Sequence, residues 1–110
     1  MEYIPEKWVV IKITTSDVTP IYKLFGCWYD NVWRLNSGIT KATLVDNHYE
    51  LQHYVFEGSS GSNYLCSTAL YGTHVYGQNV LNDMIATAAA AGCTIEIMPE
   101  ETEWEKINYE

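Results

Sequence analysis

Gln78-Asn79-Val80-Leu81-Asn82-Asp83-Met84-Ile85-Ala86-Thr87-Ala88-Ala89-Ala90-Ala91-Gly92 decides the fold class, because here the hydrophobic period changes from two residues to three and four. Val80, Leu81, Met84, Ile85 and Ala88 fall on one side of a helical wheel, and Asn79, Asn82 and Asp83 face away. The alanines at 88 to 91 have the highest helix propensity of any residue, and Gly92 stands where a left-handed C-terminal cap is needed. The pattern predicts one amphipathic helix over 78–91. Thr94-Ile95-Glu96-Ile97-Met98 then returns to period two and predicts a strand that rejoins a sheet, ended by Pro99.

Upstream of the helix the chain reads as strands and turns. Trp8-Val9-Val10-Ile11-Lys12-Ile13-Thr14 is β-branched and aromatic, and Thr15-Ser16-Asp17 with Pro20 closes it. Ile21 to Tyr29 carries bulky groups on both faces and so predicts a covered, central strand, with Gly26 marking a bulge or a close backbone approach. Asp30-Asn31 turns the chain into Val32-Trp33-Arg34-Leu35, and Asn36-Ser37-Gly38 turns it again into Ile39 to Val45. Tyr49 to Phe56 sets Leu51, His53 and Val55 against Glu50, Gln52 and Tyr54, a hairpin strand with one face partly wet. Glu57-Gly58-Ser59-Ser60-Gly61-Ser62 is a hairpin loop before the strand Asn63 to Ser67. The expected fold is therefore α+β: an antiparallel meander of about five to six strands with the helix packed on one face.

At 110 residues the chain has the size of one domain, which buries roughly two-thirds of the surface its unfolded form exposes. Its 47% hydrophobic and 14% aromatic content separates it from disordered chains, so residues 1–110 are read as a single folded unit. The segment 100–110 holds five of the 14 acids. Within it Trp104 and Ile107 are three apart, and Thr102 precedes Glu105 at capping-box spacing, so it reads either as a short docked helix or as a loosely held acidic tail.

Cys27, Cys66 and Cys93 are odd in number and unpaired in spacing, which reads as reduced thiols in a cytoplasmic protein. Met1 to Pro5 has no basic start leading into an apolar run, and no stretch approaches the roughly 18 apolar residues of a membrane span. Six bases against 14 acids give a net charge of −8. Phosphate backbones are held by clustered Lys and Arg, so neither nucleic acid nor an anionic membrane is an expected partner.

No motif names a reaction. Cys66, with His74 eight residues on and His53 on a neighbouring strand, is the one Cys/His combination a small enzyme could use, but no local signature surrounds it. His48, His53, His74 and the lone cysteines offer no close-spaced ligand pair, and no metal or other cofactor is expected. The serine-glycine loop lacks the lysine and following helix of a phosphate loop. The aromatic content is more informative. Trp28, Tyr29, Trp33, Tyr54, Tyr64 and Tyr71, with Arg34 among them, are the residues a binding face would use, because Tyr and Trp bury large area and keep a polar tip.

Three stretches resemble short uncharacterised proteins encoded by marine bacteriophages: Lys7 to Ile11, Tyr22 to Tyr29 with Trp33 to Ile39, and Tyr54 to Cys66. The resemblance spans about residues 7 to 77 and implies an accessory protein acting in an infected bacterial cytoplasm. It carries no activity to any residue, and the helix and acidic segment lie outside it. The expected function is a small binding or regulatory module that contacts a protein partner or itself, with a Cys/His-dependent enzyme as the alternative. A homodimer is expected because two strands, Trp8 to Thr14 and Asn63 to Ser67, read as edges with little charge to guard them.

Overall fold

Trp8-Val9-Val10-Ile11 has no polar side chain to turn toward water, so a strand built from it needs cover on both faces. In the computed structural model, which describes residues 1–110, it has that cover. The elements run β1 (Glu2–Tyr3), β2 (Lys7–Thr14), β3 (Ile21–Trp28), β4 (Val32–Leu35), β5 (Ile39–Val45), β6 (His53–Gly58), β7 (Asn63–Ser67), α1 (Val75–Ala90) and β8 (Thr94–Ile97). Single 3-10 turns lie at Thr68–Leu70 and Trp104–Lys106. The α+β reading holds, with strands dominated by antiparallel pairing and one long helix.

The strands divide between two four-stranded sheets, ordered β1-β7-β6-β5 and β4-β3-β2-β8. Each contains a three-strand meander, β5-β6-β7 or β2-β3-β4, and only β1 pairs in parallel, with β7. The chain changes sheets after β4. There buried Asn36 replaces a missing ladder bond: its backbone N–H donates to Leu24 O at 2.9 Å and its Oδ1 accepts from Leu24 N at 2.8 Å.

Alternation along β2 produces two cores. Trp8 and Val10 face the other sheet, where they join Leu24, Phe56, Tyr64 and Cys66. Val9 and Ile11 face the helix, where they join Phe25, Cys27 and Leu81. The order of layers is helix, sheet, sheet. Strand β2 is central, flanked by β3 and β8, which corrects its reading as an edge. Nothing near it in sequence announces β8, which arrives from beyond the helix. Strand β7 is a partial edge, since β1 covers only Asn63 and Tyr64.

Local details follow from packing. Helix α1 begins at Val75, three residues before the expected start, although Val75 and Gly77 are poor helix formers. Gly77 is buried against Cys27, where a Cβ would overlap the sulfur, and this contact draws the first turn onto the sheet. At the other end Gly92 takes φ 83°, Cys93 N bonds Ala88 O and Gly92 N bonds Ala89 O, the six-to-one and five-to-two bonds of a Schellman cap. Gly26 is the expected close approach, with a virtual Cβ 3.1 Å from Pro5 Cβ.

Strand β6 starts at His53, because Tyr49 and Leu51 lie in an exposed loop. Its buried face is Tyr54 and Phe56, with His53 and Val55 on the wetter side. The segment after Pro99 is docked. Trp104 lies 1% exposed among Trp8, Phe56 and Tyr71, with ring centroids 6.0 to 6.4 Å apart. The capping box is not made, since Thr102 Oγ1 donates to Pro99 O instead.

Candidate interaction surface at the β3–β4 hairpin

Tyr29-Asp30-Asn31 joins β3 to β4, and Asp30 and Asn31 take φ 65° and 62°. Asp and Asn accept this left-handed backbone with least strain, which keeps the turn tight and sends Tyr29 outward. Opposite the turn stands the first turn of α1. His74 is its N-cap with extended backbone and no side-chain cap bond, and no acid occupies the first turn. The two pieces are joined by a stack of Tyr29 on His74, centroids 4.6 Å apart. Glu6 ties them further: its Oε1 accepts from Tyr29 N and lies 3.6 Å from His74 Nε2.

Between them lies a cleft of about 250 Å³ with Cys27 at its floor and His74, Tyr29, Val32 and Tyr76 among its walls. Burial pushes the Cys27 thiol up, partly offset by the His74 backbone hydrogen bond. The neutral thiol is therefore favoured, and Cys27 packs as a small hydrophobe. Cys66 is fully buried in the sheet–sheet core and its thiol is raised well above the usual range by burial. It stands opposite Tyr54, while His53 stands opposite Ser67 on the other face, and His74 belongs to the helix end. The proposed Cys66, His53 and His74 grouping is not assembled.

The rim of the cleft is open and mainly apolar, with Asp30 and Asn31 of the turn as its polar part. Tyr29 is 68% exposed, Val75 80%, and Val32 and Tyr76 about half. Contiguous exposed apolar groups of this kind mark interaction sites more often than scattered single ones do. The rim continues onto β4, where Trp33, 37% exposed, stacks on Phe25 with centroids 5.5 Å apart. Beyond Trp33 a groove of about 590 Å³ runs between β4 and the helix, walled by Trp33, Leu35, Ile13, Val80 and Met84. On the opposite face of β4, Arg34 lies over the Tyr3 ring at 4.3 Å.

Strand β4 is also a free edge. Asn36 N bonds Leu24 O, and the β3–β4 register runs Phe25↔Leu35, Gly26↔Arg34 and Cys27↔Trp33. Antiparallel ladders alternate hydrogen-bonded and non-bonded pairs, so Arg34 points its backbone groups at β3. The N–H and C=O of Trp33 and Leu35 therefore point away from the sheet. Cys27 O, which accepts from Glu6 N on the β2 side, fits this phase.

Of the residues that the sequence singled out for binding, Trp28, Tyr29, Trp33 and Arg34 gather at this hairpin. Tyr54, Tyr64 and Tyr71 do not. Tyr54 and Tyr64 are buried between the sheets, and Tyr71 points inward, its hydroxyl donating to Met98 O at 2.6 Å. Composition identifies aromatics but not their side of the sheet. Val32, Val75 and Tyr76 were missed as rim residues, and the signal available was the exposed Val75-Tyr76 pair that opens the helix. No group of three or more His, Cys, Asp or Glu side chains is placed to hold a metal ion, and no helix is long and apolar enough to cross a membrane. No family model, curated protein or solved structure matches the chain.

Proposed function

We propose that this chain is a small protein-interaction module whose working surface is the β4 edge with its aromatic rim. One observation carries the reading: Trp33 and Leu35 present unpaired backbone groups at a sheet edge while their side chains wall an apolar groove. An extended segment added to such an edge gains ladder hydrogen bonds from the backbone and specificity from alternate side chains entering the groove. Tyr29, Val32 and Tyr76 supply the low-entropy contact area that such interfaces favour. The resemblance to phage-encoded proteins supports a bacterial cytoplasm as the setting, and the net charge of −8 favours protein over nucleic acid as the partner.

The test is capture from a bacterial extract and from the purified chain itself, compared between the parent, Trp33→Lys and Tyr29→Ser. A partner retained by the parent and lost from both variants supports the surface. Equal retention by all three, with unchanged circular dichroism, removes it.

A further inference from the structure

We infer that the segment paired to β4 is the β4 of a second copy, related by a two-fold axis that passes beside Trp33. The inference rests on the interaction-module reading and names its partner. Backbone phase comes first. Trp33 offers one outward N–H and one outward C=O, so two copies meeting antiparallel with Trp33 opposite Trp33 exchange both bonds and form a single eight-stranded sheet.

Side-chain faces come second. A two-fold perpendicular to the sheet keeps the helix-facing side of both copies on one side, so only residues of like facing can oppose each other. Two registers satisfy this near the centre of β4. One sets Trp33 against Trp33 with Val32 against Arg34, and the other sets Arg34 against Arg34. Like charges directly opposite are destabilising, which selects the first. In it the two Trp33 rings meet between the two helices and each lengthens the wall of the other copy's groove.

Charge comes third. The acidic segment 100–110 leaves from β8 and docks through Trp104 and Tyr109 on the face of the sheet that is turned away from the helix, whereas Trp33 lies on the helix face. At 0.15 M ionic strength the remaining repulsion is screened beyond about 8 Å. The other edges are less suited: β8 carries Glu96, β5 carries Lys41 and an irregular register between Ile39 and Lys41, and β7 is half covered by β1. Strand β4 is short, so the dimer is expected to be weak, with a dissociation constant in the micromolar range.

Sedimentation equilibrium from low micromolar to near millimolar concentration reads the mass, and disulfide trapping reads the register. Facing residues of a hydrogen-bonded pair lie about 5.5 Å apart at Cα, within disulfide reach. In a Cys27→Ala, Cys93→Ser background, which removes the thiol standing directly across from position 33 within one copy, Trp33→Cys should be trapped as a covalent dimer by oxidised glutathione at least tenfold faster than Val32→Cys or Arg34→Cys. Trp33→Pro removes an N–H that bonds nothing within one copy, so it should keep the parent circular dichroism and lose dimerisation at least tenfold. If that variant misfolds, the trapping rates decide alone. A monomeric mass at every concentration, or faster trapping at 32 or 34, overturns the inference. A monomer that still captures another protein through Trp33 leaves the module reading standing, whereas a monomer that captures nothing removes both.

Discussion

Replacing Trp104 by alanine tests whether the acidic C-terminal segment is part of the core or lies on it. The indole is 1% exposed and touches three aromatic rings, those of Trp8, Phe56 and Tyr71. Removing a buried Trp costs about 3–5 kcal/mol, from the lost transfer free energy and the cavity left behind. The upper part of that range applies here. The walls of the site are aromatic rings held by their own strands and by the Tyr71 and Trp8 hydrogen bonds, so they relax little. For a chain of this size such a loss lowers the melting temperature by roughly 15–20 °C. Urea titration followed by far-ultraviolet circular dichroism measures it. Lys106→Ala, two residues away and exposed on the same turn, should change stability by less than about 1 kcal/mol. If Trp104→Ala costs under about 1 kcal/mol, or matches Lys106→Ala, the docking of this segment is refuted.

Other outcomes follow from the same packing. Gly77→Ala, which would normally strengthen a helix by about 1 kcal/mol, should instead destabilise by about 1–3 kcal/mol, because its Cβ overlaps the Cys27 sulfur; Gly77→Ala with Cys27→Ala should recover much of the loss in urea titrations. Leu81→Asp should cost several kcal/mol by placing an unpaired charge under the helix, while Asn82→Asp on the open face should stay within about 0.5 kcal/mol in the same titration. Burial, with a hydrogen bond to Glu105 at Tyr54, pushes the Tyr54 and Tyr71 phenols up to about 12. The folded state therefore holds those protons longer than the unfolded chain, whose phenols ionise near 10. Their contribution to stability is full below pH 10 and declines as pH rises toward 12. Burial, with Tyr22 beside it, also raises Tyr109, so ultraviolet titration should show three late phenols that shift to about 10 in denaturant. Under native conditions a thiol reagent should modify Cys93 first and Cys66 last, and fast labelling of Cys66 would contradict its place in the core.

The parts of the fold that were legible in sequence are those fixed within a turn or two of chain. Val80, Leu81, Met84 and Gly92 describe the helix and its cap without reference to anything distant. Asp30-Asn31 and Gly58 to Ser62 likewise mark hairpins by their own chemistry. The division into two sheets was not legible, because Asn36-Ser37-Gly38 looks like any other turn. What makes it a crossing point is buried Asn36 bonding to Leu24, a partner twelve residues away. The burial face of β6 was not legible for a related reason. Leu51 lies in a loop and so carried no information about the strand, while Phe56, at the strand's far end, pointed to the face that is buried. At the candidate surface, Tyr29, Trp33 and Arg34 were found because they flank a readable turn. Tyr54 and Tyr64 were misplaced because an aromatic residue on a strand shows its side only once the second sheet is known.

Strand β2 belongs to two cores at once, and this bears on how the molecule comes apart. A layer that can open alone needs a boundary across which few buried contacts run, and such boundaries separate units of independent stability. Here the helix layer grips β2 through Val9 and Ile11, and the far sheet grips the same strand through Trp8 and Val10. Loosening either layer exposes one face of a strand that has no polar side to offer between Trp8 and Ile11. The layers therefore share their fate, and the seven-pair ladder between β2 and β3 is held from both sides until the whole domain gives way.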